Sequence, residues 1–157
     1  GDVDVLKSLS ADQKAAIKSS WAAFAADITG NGSNVLVQFF KDYPGDQSYF
    51  KKFDGKKPDE LKGDAQLATH ASQVFGSLNN MIDSMDDPDK MVGLLCKNAS
   101  DHIPRGVRQQ QYKELFSTLM NYMQSLPGAN VAGDTKAAWD KALNAMANII
   151  DAEQKRL

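Results

Sequence analysis

Residues 69–106 read THASQVFGSLNNMIDSMDDPDKMVGLLCKNASDHIPRG, and this stretch holds the only two histidines of the chain, His70 and His102. Apolar residues recur at helical spacing around each histidine, which predicts two helices that carry a histidine on the apolar stripe. Pro104 disfavours helical geometry at Ile103, so the second helix is expected to end just after His102. Both imidazoles are therefore predicted to face one interior.

A single buried histidine is most often a core residue with satisfied hydrogen bonds. Two histidines aimed at the same interior, one of them at the end of its helix, indicate instead a ligand that they share. A flat and mostly apolar cofactor with a metal at its centre, held through one histidine, suits this arrangement.

Composition narrows the class of protein. The 157 residues are 42% hydrophobic and carry a net charge of −2, which is typical of one folded domain with its own core. No cluster of Lys or Arg predicts a nucleic-acid partner, and no apolar run approaches the roughly 20 residues of a membrane span. The single cysteine, Cys96, excludes an internal disulfide and a cysteine-rich zinc site.

Helical signals continue along the rest of the chain. Residues 1–9 are predicted as a short leader, and a capping box at Ser10–Gln13 begins a helix that runs to about residue 27. The stretch 29–33 (TGNGS) is expected to break it, and Pro44 to end the next helix and open a short one. Further helices are predicted over about 64–84, 89–102, 107–126 and 134–153. No segment alternates as a strand would, so residues 1–157 form a single all-α domain of seven to eight helices.

Several motifs in this frame resemble the globin family over essentially the whole chain after the leader. The run LVQFFKDYP at 36–44 is similar to the family's second helix and its proline-started third, and Phe50 follows Pro44 by six residues. His70 and His102 fall where globins have their distal and iron-binding histidines. The run at 78–89 is similar to clam haemoglobins, and the sequence HIPRGV at 102–107 also resembles midge larval haemoglobins.

The resemblance implies a globin fold around a non-covalent haem b, since the chain has no Cys-x-x-Cys-His attachment motif. His102 would be the proximal iron ligand, and His70 would donate a hydrogen bond to the oxygen ligand. The other residues expected at the cofactor are Leu36, Phe50, Lys52, Phe53, Val74, Lys97, Asn98, Arg105 and Val107. Lys52, Lys97 and Arg105 either face the haem propionates or are solvated surface charges.

Two positions near His102 depart from the family pattern. Asn98 stands one turn earlier, where related chains commonly have Leu or Phe, and it either reorganises the proximal side or reaches a propionate. Asp101 places a carboxylate beside the iron ligand or points to solvent.

The function implied is reversible binding of oxygen and other diatomic gases, for transport or storage, with no catalytic residue. The alternative is a haem enzyme of globin type with peroxidase or nitric-oxide dioxygenase activity, although the distal helix offers no arginine. A third class is a haem-free helical interaction or signalling protein.

Association and location are also expectations of the sequence. The segment 91–96 (MVGLLC) is apolar nearly all round its helix, whereas a surface helix has a single stripe. This extra apolar face predicts a covered surface, and the resemblance to clam haemoglobins implies a homodimer through the helices of His70 and His102, with weak or absent cooperativity because Asn98 is polar. The alternative is a monomer whose own loops cover the helix. The expected location is the cytoplasm of a blood cell or muscle, or alternatively the haemolymph.

Overall fold

Seven α-helices and three short 3-10 helices make up the protein in the computed structural model, which describes residues 1–157. The α-helices are α1 (Asp2–Lys7), α2 (Ala11–Ala25), α3 (Ile28–Asp42), α4 (Ala65–Asp83), α5 (Pro88–His102), α6 (Gln109–Ser125) and α7 (Gly133–Arg156). The 3-10 helices are Pro44–Tyr49, Pro58–Leu61 and Ile103–Arg105. No strand is present, and the all-α prediction is confirmed.

Local signals in the sequence place most helix starts correctly. The Ser10 hydroxyl accepts from the Gln13 amide at 3.1 Å, and the Gln13 side chain accepts from the Ser10 amide at 2.9 Å. These two bonds satisfy amides that a helix start leaves without partners. Asp64 caps α4 in the same way, by accepting from two amides of its first turn.

The predicted leader is wrong, because most of it is the helix α1. Leu6 and Leu9 are buried, and α1 packs against α7 and α5. The Asn148 amide of α7 also donates to the Asp2 carboxylate at 3.0 Å. A six-residue helix is too short to be stable alone, so these long-range contacts hold it.

The predicted break at residues 29–33 is also wrong, because α3 begins at Ile28 and runs through it. Asp27 caps the helix by accepting from the Gly30 amide at 2.9 Å. A Cβ on Gly32 would lie 2.6 Å from a ring carbon of Phe75. Gly32 is therefore a packing residue that lets α3 approach α4 closely, and this contact offsets the roughly 1 kcal/mol of helix propensity that glycine lacks.

Helix α7 packs on four other helices, α1, α2, α5 and α6. On the other side of the molecule α3 packs on α4. Trp139 of α7 and Trp21 of α2 are buried, and each indole nitrogen donates within the protein, to the Ser20 hydroxyl and the Asn79 side chain respectively. This packing leaves one apolar cavity between α4, α5 and α6. None of the helices combines the length and apolar character needed to cross a bilayer.

Candidate functional site

A cavity of about 310 Å³ lies between the two histidine-bearing helices and α6. Thirteen of its twenty-two lining residues are hydrophobic, so it suits a flat and mostly apolar ligand better than a polar one. The residues predicted for the cofactor that line it are Phe50, His70, Val74, Asn98, His102, Arg105 and Val107.

His70 forms one wall of the cavity from the second turn of α4, where packing alone holds its ring. The Phe50 and Phe53 rings meet the imidazole edge to face, with centroids at 5.1 and 5.9 Å. Neither ring nitrogen of His70 has a hydrogen-bond partner in the chain. Burial lowers the pKa of His70 below its usual value, and the positive charges of Arg105 and Lys52 lower it further. His70 is therefore neutral at neutral pH and can donate from one nitrogen.

His102 lines the cavity from the last residue of α5, and hydrogen bonding fixes its tautomer. Its Nδ1 lies 2.7 Å from the carbonyl oxygen of Asn98. Because a carbonyl only accepts, Nδ1 carries the proton and donates, and Nε2 keeps a free lone pair. Burial lowers the pKa of His102, although the bond to Asn98 opposes this shift. A neutral imidazole with a bare Nε2 is the form that binds a metal.

The remaining predicted cofactor residues lie around the cavity rather than on its surface. Leu36 and Phe53 are fully buried in the core. Lys52 lines a second cleft, which opens beside His70. Lys97 is exposed and donates to the Asp101 carboxylate at 2.8 Å, and Asp101 is itself one of the residues that line the cavity.

Helix α6 contributes to the cavity a floor that was not predicted from the sequence. This floor consists of Gln111, Tyr112, Leu115, Phe116 and Leu119. The sequence predicted a helix over about 107–126, and helical spacing indicates that Tyr112, Leu115, Phe116 and Leu119 face inward. Such spacing predicts burial, but it does not distinguish a core contact from a ligand contact.

The residues present fit a haem. A flat macrocycle needs apolar walls, one metal ligand and a cation near its carboxylates. The cavity supplies these with its aromatic and aliphatic lining, the bare Nε2 of His102 and the guanidinium of Arg105. The fold and the site together define a class of helical protein whose cavity can hold a haem between two histidines.

Comparison with known proteins identifies the family. The profile described as Globin matches residues 33–150, which is most of the chain. The chain therefore belongs to the globin family. Its resemblance to both mollusc and midge globins, expected from the sequence, is confirmed.

Relatives of both kinds cover most of the chain. Globin CTT-Z of Chironomus thummi piger is 36% identical over 141 residues, which cover 87% of this chain and 82% of the relative. Hemoglobin-3 of Phacoides pectinatus is 31% identical over 133 residues, which cover 84% of this chain and 86% of the relative. Among solved structures, ferric Aplysia limacina myoglobin superposes with a TM-score of 0.84 at 27% identity, over 93% of this chain and 99% of that one. Haem binding and oxygen binding follow from the family.

Proposed function

We propose that this protein binds oxygen reversibly at a non-covalent haem b, in transport or storage. The observation that carries the proposal is the contrast between the two imidazoles of one cavity. His102 offers a bare Nε2 that is fixed in direction by the Asn98 carbonyl, whereas His70 is neutral and has no partner in the chain. Bound haem would supply the ferrous iron that takes up oxygen.

The chain's own residues hold the cofactor and keep its surroundings dry. His102 would bind the metal through Nε2. Phe50, Val74 and Leu78 form part of the apolar wall of the cavity. Excluding water from such a site disfavours oxidation of the cofactor's metal. Arg105 lies at the cavity and Lys52 at the cleft beside His70, so both are candidates to pair with the cofactor's carboxylates.

His70 would stabilise the gas ligand by donating a hydrogen bond into the cavity. A hydrogen bond to a partly charged acceptor contributes roughly 1.5–3 kcal/mol. Oxygen accepts such a bond better than carbon monoxide does, so His70 would favour oxygen.

The type of haem is inferred from the cysteine content. Cys96 is the only cysteine, and it does not line the cavity. No thioether link to the cofactor is therefore available, which supports haem b rather than a covalently attached haem.

A globin-type enzyme is the alternative function, and the distal residues favour it less. Peroxidase chemistry is served by a cationic side chain over the metal, whereas α4 presents Gln73 and Val74 beside His70. Arg105, the one arginine of the cavity, lies in the 3-10 helix after His102.

Absorption spectra of the reduced protein, with and without oxygen, test the proposal. We expect a Soret band that shifts on oxygenation and returns when the oxygen is removed. No Soret band after incubation with haem would contradict it in favour of a haem-free helical protein. Slow autoxidation with low peroxide turnover favours the carrier, and the opposite pair of results favours the enzyme.

The homodimer stays a prediction, now with a weaker basis. Val92 and Leu94 on α5 are partly buried and pack against the chain's own core, and α1 and α7 both cover α5. The apolar face that suggested a partner is thus largely occupied by the same chain. Sedimentation at micromolar concentration decides the question, because a single species near 17 kDa in both ligation states would exclude the dimer.

We also propose the cytoplasm of a blood cell or muscle as the location, with the haemolymph as the alternative. Fractionation of tissue from the source animal distinguishes the two.

A further inference from the structure

One hydroxyl group reaches the hydrogen-bond network of His102 from α6. Tyr112 Oη donates to the side-chain oxygen of Asn98 at 2.6 Å and lies 3.4 Å from the Asn98 carbonyl oxygen. That carbonyl is the one that accepts from His102 Nδ1 at 2.7 Å. Both carbonyl oxygens of Asn98, of the backbone and of the side chain, are therefore engaged in the network, and the asparagine links the tyrosine to the histidine.

The tyrosine also contacts the histidine directly. The two rings pack edge to face, with centroids 5.7 Å apart at an angle of 61°. Burial raises the pKa of Tyr112 well above its usual value, so the hydroxyl stays protonated and remains a donor. The ring limits rotation of the imidazole, and the hydroxyl limits movement of the residue to which the imidazole is bonded.

We propose that Tyr112 and Asn98 are positioning residues that hold the ring of His102 in one orientation toward the cofactor. The inference rests on the proposed function, since it concerns the residue that would bind iron. It also assigns a role to the asparagine that departs from the family pattern. The side-chain oxygen of Asn98 is bonded to Tyr112 inside the protein.

Tyr112→Phe tests the proposal, because it removes the hydroxyl and keeps the ring. Asn98→Leu removes the acceptor and keeps the backbone carbonyl. In the ferrous haem-loaded protein we expect either change to broaden the iron–histidine stretching band in resonance Raman spectra. We also expect the His102 ring N–H, followed by NMR, to exchange with solvent about fivefold faster, the ratio expected for loss of one neutral hydrogen bond. The double variant should match either single variant, since both remove the same bond.

Tyr122→Phe is the matched control. Tyr122 Oη donates to the Asn31 side-chain oxygen, also at 2.6 Å, but between α6 and α3 and away from His102. This variant should lose comparable stability and leave the iron–histidine band and the N–H exchange unchanged. A control that moved both readouts as far as Tyr112→Phe does would show a merely structural effect and overturn the proposal.

The remaining outcomes separate the inference from the function. In one outcome the parent protein shows the normal iron–histidine band while the variants keep both its width and the exchange rate of the His102 ring N–H. That result would overturn only the positioning role. A parent that forms no iron–histidine band would overturn the proposed function and the inference with it. If Tyr112→Phe does not fold, Asn98→Leu gives the same test alone, because it leaves the ring contact in place.

Discussion

The two sides of the cavity hold their histidines by different means. On the side of α4, aromatic rings pack around His70 and leave both of its nitrogens without partners in the chain. On the side of α5, His102 is bonded to Asn98, which is bonded in turn to Tyr112. The first arrangement keeps a donor free for a ligand, and the second commits one nitrogen so that the other is free for a metal.

Position along the helix accounts for the difference. His70 lies well inside α4, where the backbone groups around it are used within the helix. His102 is the last residue of α5, and the last turn of a helix leaves carbonyls that need donors from elsewhere. The Gln154 side chain supplies one such donor, because its amide nitrogen lies 3.1 Å from the Ala99 carbonyl oxygen. A histidine at a helix end is therefore readily built into a polar network.

The largest expected effect comes from removing the imidazole at the helix end. His102→Leu should abolish tight haem binding, because no other side chain on that wall offers a bare nitrogen. The measurement is the Soret absorbance after incubation with haem and removal of the excess. The same substitution at His70 serves as the comparison and should retain haem. Exogenous imidazole should partly restore binding to His102→Gly, and an unchanged spectrum in His102→Leu would contradict the assignment.

The next largest effect is expected on the opposite wall. His70→Leu should speed oxygen release about ten- to a hundredfold, by loss of roughly 1.5–3 kcal/mol of hydrogen bonding, with a smaller effect on carbon monoxide. Flash photolysis and stopped-flow mixing give both rates. Asn80→Ala, an exposed change on the same helix, is the control. Equal release rates in parent and variant would show that His70 does not contact the ligand.

A moderate effect is expected where a side chain of α7 donates hydrogen bonds to backbone carbonyls in and just after the last turn of α5. Gln154 is buried, and its amide nitrogen donates to the carbonyl oxygens of Ala99 and Val107 at 3.1 and 3.0 Å. Gln154→Leu leaves both carbonyls without this donor and should destabilise the fold by about 1–3 kcal/mol. The side-chain oxygen of Gln154 has no partner, so its removal offsets part of the loss.

Urea unfolding of the haem-loaded protein measures this change, with Gln124→Leu at an exposed end of α6 as the same substitution outside the network. Equal unfolding midpoints for Gln154→Leu and the parent would show that solvent satisfies the two carbonyls.

The smallest effect concerns a pair of acids, Glu114 and Asp46, of which Asp46 lines the cavity. Burial raises the pKa of Glu114, and the neighbouring Asp46 carboxylate raises it further. A raised folded pKa means that stability is greatest below the pKa of the unfolded chain and falls as the pH rises through the folded pKa. Glu114→Gln should therefore be more stable than the parent at pH 7, by less than about 1 kcal/mol, and equal to it near pH 4.

Thermal unfolding over a pH series checks the sign, with Glu60→Gln at an exposed position as the control. A parent that is more stable than Glu114→Gln at pH 7 would show that the two carboxylates are bridged rather than opposed.

Features that depend on neighbours in the chain could be predicted from the sequence. The helix start at Ser10 follows from hydrogen bonding within a few residues, and the helix start at Pro44 follows from the geometry of the proline ring. The two histidines of the cavity follow from helical periodicity, which needs no knowledge of the partner helix. The break expected at residues 29–33 was wrong because local propensity favoured it, while Gly32 is compensated by close contact with Phe75 on another helix.

The sequence by itself therefore determined most of the helices, the facing histidines and the family. Only the tertiary structure decided that residues 2–7 form a helix on α7, that α6 provides the floor of the cavity, and that Tyr112 reaches Asn98. The physical reason is that periodicity identifies which face of a helix is buried, whereas the partner of a buried donor depends on how distant helices pack. Tyr112 and Asn98 are 14 residues apart on different helices, and no local rule links them.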